Sequence, residues 1–343
     1  MTKFARIYRA KPAKRANLCA RGGLTGAARR AMIRQDFAGR GLAAIGRPVL
    51  FIYNTQAGKN SITAKLDAVL KALYQSGFDI TVCPVGTQRD AQELLTRQGG
   101  RYDAVLCAGG DGTLHHTVNA MAEAGLALPV GYLPAGSTND FAATAGLSED
   151  VVEGCARLAT LQETRLDLGD FCGQRFCYVA AFGMFTDVSY STPRQAKNLL
   201  GHMAYILEGV KRLNLFQSWH ARVQAGDFCV EDDFWYGSFT NTRSVGGFGF
   251  PNADKVRLDD GEFEVMLVRC PKNLAELNAL AAKLVRQEFD GKDLVFLHAK
   301  EMQVTFQAPV PWTLDGEFGG EVQAARLSVL PGALRLLGAQ AAE

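Results

Sequence analysis

Residues 104–124 read AVLCAGGDGTLHHTVNAMAEA. The first five, Ala104–Ala108, form a compact apolar run of strand length. Gly109–Gly112 interrupts it. Leu114, Val118 and Met121 then recur at helical spacing, which predicts a helix over 113–124. A buried strand that turns through glycines straight into a helix is the repeating unit of a parallel α/β sheet. The flanking sequence repeats it. Pro48–Tyr53 (PVLFIY) predicts a buried strand and Asn54–Asn60 (NTQAGKN) a polar loop. Ile62, Leu66, Val69, Leu70 and Leu73 predict a helix within 61–77. Another strand is expected at 78–85, a helix at 90–98 and a strand at 128–133, ended by Pro134-Ala135-Gly136. The expectation is a parallel sheet covered on both faces by helices.

Beyond residue 163 the texture changes. Strand-like runs dominate at 165–171, 175–182, 220–223, 234–240, 262–268, 295–306 and 325–330, separated by Gly173, Ala225-Gly226, Asp260-Gly261 and Pro331-Gly332. This predicts an antiparallel β-sandwich. One amphipathic helix, about 195–213, intrudes. Its Met203, Ile206, Leu207, Val210 and Leu213 suit a core-facing stripe, and Lys211-Arg212 leaves bilayer contact open. The expected organisation is an arm over 1–46, an α/β domain over 47–162 and a β-rich domain over 163–343. The C-terminal segment has the option of returning to the first domain.

Charge is divided unequally. The 343 residues carry a net +2, but residues 1–46 sum to +10 and the remainder to −8. An acidic body excludes a globally basic nucleic-acid binder. The arm shows no sustained periodicity and reads as disordered, as a transit-like segment, or as sequence ahead of a start at Met32. No apolar run approaches the ~20 residues that span a bilayer. Eight cysteines without a Cys-x-x-Cys pair read as reduced thiols, and the histidines do not cluster with them as zinc ligands would. A cytoplasmic protein with at most peripheral membrane contact is expected.

The chemistry concentrates at Gly109-Gly110-Asp111-Gly112-Thr113. Ligands of an open parallel sheet bind at the carboxyl ends of its strands. Glycines there allow close backbone approach, and a helix N-terminus offers free N–H groups to phosphate. An aspartate in the same loop makes sense beside phosphates if Mg²⁺ is present. Two other phosphate motifs fail. A Walker A loop ending at Gly58-Lys59 would need glycine at Tyr53 and a hydroxyl at Asn60; a dinucleotide fingerprint would need glycine at His115. Leu133–Phe141 (LPAGSTNDF) supplies further hydroxyls and amides past a strand end.

These residues together resemble the diacylglycerol kinase catalytic-domain family, which includes sphingosine and ceramide kinases. Its pattern has five ordered parts. They match Asn54–Lys59, Gly109–Thr113, Leu133–Phe141, Pro251–Gly261 and Asp315-Gly316-Glu317 here. Thr55 replaces the usual proline and Ser137 the usual threonine. The resemblance spans roughly 48–335. It implies an ATP- and Mg²⁺-dependent lipid kinase, with diacylglycerol as the foremost substrate, and it leaves a homodimer open. By position, ATP would be surrounded by Asn54, Thr55, Gln56, Ala57, Gly58, Lys59, Asn60, Thr87, Gly110, Asp111, Gly112, Thr113, Leu114, His115, His116 and Ser137. Asp111 would help hold the ATP-bound Mg²⁺, and Glu317 would be the general base. A second, structural Mg²⁺ would be ligated by the Asp260 side chain with main-chain carbonyls of Arg257 and Glu262. Other family lipids, NAD as phosphate acceptor, and a non-catalytic binding protein are the alternatives.

Overall fold

The computed structural model describes residues 46–55, 62–136, 139–160, 162–184, 217–245, 248–249, 256–286 and 288–339. The arm up to residue 45, the loop residues Gln56–Asn60, Ser137, and the helix expected at 195–213 lie outside these.

The first half is built on β1 (Arg47–Asn54), β2 (Phe78–Val85), β3 (Ala104–Gly109) and β4 (Val130–Pro134). β1 lies between β2 and β3, β3 lies beside β4, and all three pairings are parallel. Strands buried on both faces need apolar residues in succession rather than in alternation. Val49–Ile52 and Ala104–Ala108 meet that need, being fully buried. The helices are α1 (Ile62–Gln75), α2 (Gln88–Gln98), α3 (Asp111–Glu123), α4 (Asp140–Thr144) and α5 (Val151–Ala159). Val49 and Phe51 pack with Val69 and Leu73 of α1 and Cys155 and Leu158 of α5. Leu50 and Ile52 face the other way, towards Leu95 of α2 and Leu114 and Val118 of α3.

The second half contains β5 (Glu163–Phe171), β6 (Gln174–Phe176), β7 (Val179–Gly183), β8 (Trp219–Ala225), β9 (Phe228–Thr240), β10 (Ser244–Val245) and β11 (Phe248–Gly249). β12 (Phe263–Arg269), α6 (Leu274–Arg286), β13 (Leu294–Ala299), β14 (Glu301–Leu314) and β15 (Glu317–Leu337) follow. Pairing among these strands is antiparallel. Two long strands turn the corner. β9 pairs with β8 through Phe228–Phe234 and with β7 through Tyr236–Thr240. β14 pairs with β8 through Met302–Phe306 and with β7 through Trp312–Leu314. Its register against β15 shifts between Thr305 and Val310, a stretch containing Pro309, which has no N–H for the ladder. These four strands close a ring around Phe182, Val223, Phe234, Phe306 and Trp312. β15 also pairs in parallel with β4 at Leu336 and Leu337, so the parallel and antiparallel strands belong to one 13-stranded sheet.

Several boundaries differ from the sequence expectations. α3 starts at Asp111 rather than 113, with Gly110 as its N-cap. The run 295–306 divides at Lys300 into β13 and β14. β15 continues through Pro331-Gly332, absorbing that turn signal as a register shift between Leu330 and Leu334. The run 175–182 divides at Cys177–Tyr178, whose N–H groups leave the ladder to bind Asp315. Three helices were not anticipated: the short α4, α5 and α6. α5 is announced by Asp150, whose carboxylate caps the N–H groups of Val152 and Glu153. α6 carries buried Leu277 and Leu280 at helical spacing.

Candidate active site

The glycine loop is shaped by close packing. A Cβ on Gly136 would lie 2.6 Å from the Cα of Gly110, so the loops after β3 and β4 meet backbone to backbone. Ala135 N–H donates to the Gly109 carbonyl at 2.7 Å, and the Asn139 side chain bonds both the N–H (3.0 Å) and carbonyl (3.2 Å) of Gly136. A Cβ on Gly112 would collide with Oε1 of Glu317. That glycine therefore lets a carboxylate from β15 reach the first turn of α3, across more than two hundred residues of sequence.

Asp111 opens α3, where a negative charge complements the helix dipole. Its carboxyl is nevertheless pushed up to about 7, by burial first and then by the nearby Asp140 and Asp315. The Asp140 backbone N–H and the Tyr132 hydroxyl (3.4 Å) oppose this by bonding its charged form. Three acidic side chains thus share one partly desolvated region at the strand ends. Asp315 spends both oxygens on N–H donors, so the Asp111 carboxylate is the oxygen donor here that a divalent cation could share with phosphate oxygens.

The β14–β15 hairpin turns on Asp315 (φ 52°) and Gly316 (φ 86°). Two left-handed residues form the tight turn that matches strand twist. The Asp315 carboxylate is buried and accepts N–H bonds from Cys177 (2.7 Å), Tyr178 (2.9 Å) and Val179 (3.1 Å). The Nδ1–H of His115 donates to its Oδ2 at 2.9 Å. The His115 ring also touches Asn119, whose side chain clamps the backbone of Arg175 on β6. Glu317, two residues along the hairpin, stays partly exposed, with Oε2 3.7 Å from Nε2 of His116. One carboxylate of the hairpin is locked into the core and the other is free to meet a substrate.

The remaining expected residues divide. Asn54 donates to Oγ1 of Thr113 at 3.4 Å, which ties the loop after β1 to α3. Thr55 N–H bonds the Val85 carbonyl, at the end of β2. Thr87 serves as N-cap of α2 in a capping box with Asp90. The side chain of Leu114 is buried in the core and that of His115 is committed to Asp315. Gln56, Ala57, Gly58, Lys59, Asn60 and Ser137 lie outside the described residues. The Arg257, Asp260 and Glu262 turn stands apart, before β12. There Asp260 accepts the Glu262 N–H at 3.1 Å and Arg257 pairs with Asp259. The sequence reading missed Asp167, a buried carboxylate that accepts N–H bonds from Gly261 and Gly332, both at 2.7 Å, and so anchors this turn. Its signal was an aspartate flanked by Leu166 and Leu168 in a buried strand. Among the described residues, no three His, Cys, Asp or Glu side chains gather closely enough to hold an ion by themselves.

The chain is similar to known proteins over most of its length. Residues 48–171 match the family model of the diacylglycerol kinase catalytic domain, and residues 180–338 match the YegS C-terminal NAD kinase beta sandwich-like domain. The diacylglycerol kinase of Bacillus subtilis (strain 168) is 30% identical over 275 residues, covering 78% of this chain and 89% of that protein. The diacylglycerol kinase of Staphylococcus saprophyticus is 30% identical over 275 residues, covering 79% and 89%. A crystal structure of a diacylglycerol kinase from Bacillus anthracis str. Sterne shares the fold, with TM-score 0.66 at 18% identity over 85% of this chain and 96% of that one. A second structure from the same organism gives TM-score 0.71 at 21% identity over 86% and 98%. With a catalytic domain followed by a sandwich-like β domain, and curated relatives matched over most of their length, the chain belongs to the diacylglycerol kinase family of phosphotransferases.

Proposed function

We propose that this kinase transfers the γ-phosphoryl group of ATP to the hydroxyl of diacylglycerol, giving phosphatidic acid. The observation that carries the reading is the approach of Glu317 to Gly112: an accessible carboxylate stands over the N-terminus of a helix at the ends of parallel strands. Phosphoryl transfer asks mainly for positioning and charge stabilisation, with one carboxylate placed to accept the alcohol proton. Glu317 is that base. The N–H groups at the start of α3 would meet the phosphates, and by the family resemblance Asn54, Thr55, residues 56–60, Thr87, Thr113 and Ser137 would border the nucleotide. Asp111 holds the metal; Mg²⁺ bound there would neutralise charge on the phosphate oxygens.

The test is an assay with ATP, Mg²⁺ and a panel of diacylglycerol, sphingosine and phosphatidylglycerol, with NAD as a further acceptor. Phosphate on diacylglycerol is the expected product. A folded protein that labels none of the lipids would refute the reading, and label on NAD would move it to a different acceptor.

The turn before β12 is our assignment for a second Mg²⁺, through the Asp260 side chain and the carbonyls of Arg257 and Glu262. An oxygen-only donor set suits that ion. Asp260→Asn should remove one class of Mg²⁺ site in a calorimetric titration, and an unchanged stoichiometry refutes the assignment. The +10 arm over 1–46 is assigned to the anionic membrane surface, where each basic residue contributes about 1 kcal/mol at most. Deleting it should weaken sedimentation with anionic liposomes, most at low salt. Equal sedimentation at low salt would exclude that role.

A further inference from the structure

His115 and His116 are adjacent on the first turns of α3, and neighbouring helical residues point ~100° apart. The hairpin meets both. Asp315 receives His115 at 2.9 Å, and Glu317 faces His116 at 3.7 Å. The His115 contact is a finished hydrogen bond in the core. The His116 contact lies about 0.5 Å beyond the hydrogen-bond range, and Glu317 has the freedom of a partly exposed side chain. The two oxygens of Glu317 are also distinguished. Oε2 faces Nε2 of His116, whereas Oε1 lies over Gly112 at the helix N-terminus.

We propose that His116 is a positioning residue for Glu317: its Nε2–H donates to Oε2 when the site closes on substrate, leaving Oε1 to take the lipid proton. This rests on the reading of Glu317 as general base. Bonds of this kind are commonly long in the free enzyme and shorten in the reacting complex. Nδ1 of His116 is buried without a hydrogen-bond partner, a poor place for a second proton. The ring is therefore neutral and protonated at Nε2. Burial lowers its pKa, His115 adds to that effect, and Glu317 and Asp315 oppose it. In the reaction the lipid O–H bond breaks as an O–H bond forms at Oε1. The freed electron pair forms the new P–O bond, and the bond from the γ-phosphorus to the bridging oxygen breaks, its pair leaving with ADP. Oε2 stays bonded to His116 throughout.

The test compares wild type with His116→Phe and His116→Gln, using diacylglycerol in detergent micelles and saturating ATP. For His116→Phe, kcat should fall about 10-fold. KM for ATP should stay within about two-fold, because the side chain acts on the base. His116→Gln, whose amide N–H replaces Nε2–H, should recover most of the lost kcat. An unchanged kcat in His116→Phe, a raised KM for ATP with kcat intact, or a kcat for His116→Gln as low as that of His116→Phe overturns the proposal. Should His116→Phe not melt cooperatively, His116→Asn replaces it, being too short to place a donor there; equal kcat for the Asn and Gln variants overturns it too. Glu317→Gln is assayed alongside. Near-normal turnover there would sink the base reading itself, whereas lost turnover with an unchanged kcat in His116→Phe would sink this inference alone.

Discussion

Replacing Glu317 with glutamine should lower kcat by roughly 10²–10⁴-fold, the range that a positioned general base contributes. Glutamine keeps the size and hydrogen-bonding reach of the side chain, so the space over Gly112 stays filled. What it loses is the capacity to accept a proton from the lipid hydroxyl. ATP should bind with an affinity within a few-fold of wild type by calorimetry, since no phosphate contact is assigned to Glu317. A loss confined to KM for ATP, with kcat unchanged, would place Glu317 in the nucleotide site and remove it from proton transfer.

Replacing Asp315 with alanine should have the largest effect on stability. Its carboxylate is buried and accepts three backbone N–H groups and the His115 ring. Alanine strands those donors in the core, and breaking such a buried charged network costs about 3–5 kcal/mol. That is a large share of the 5–15 kcal/mol by which ordinary proteins are stable. Asp315→Asn should cost less, because it retains one oxygen for Tyr178 and Val179 and leaves an amide facing Cys177 and His115. The measurement is the urea midpoint of each variant. A midpoint for Asp315→Ala within experimental error of wild type would show that the network contributes little. Activity should fall with stability even in the folded fraction, because the same hairpin presents Glu317 to α3.

The contrast between these two carboxylates shows what could be read in the sequence and what could not. Local periodicity carries the parallel strands and their helices, because each has its own apolar pattern: PVLFIY at 48–53, AVLCA at 104–108, and Leu114, Val118 and Met121 on α3. The glycine loop was legible as a strand-to-helix turn. Its deeper reason was not, since the backbone of Gly136 and the carboxylate of Glu317 arrive from distant segments. The same holds for the break at Cys177–Tyr178. Nothing in that apolar run signals that its N–H groups serve an aspartate 138 and 137 residues away. Residues 315–317 stand out in the sequence only through the family resemblance, as the source of a base. In the structure they form a tight hairpin turn whose left-handed Asp315 and Gly316 place one acid in the core and the next partly exposed. α6 went unnoticed because strand-like runs dominate the sequence on either side of it.

On the proposed function, Glu317 at the start of α3 completes one phosphoryl-transfer centre for ATP and a lipid alcohol. The most direct measurement is stoichiometry: ADP and phosphatidic acid quantified in the same reaction, with and without diacylglycerol. One phosphatidic acid should appear per ADP, ADP formation should depend on the lipid, and both should vanish together in Glu317→Gln. ADP formed without diacylglycerol at an unchanged rate, or phosphatidic acid still formed by Glu317→Gln at a near-normal rate, would contradict it.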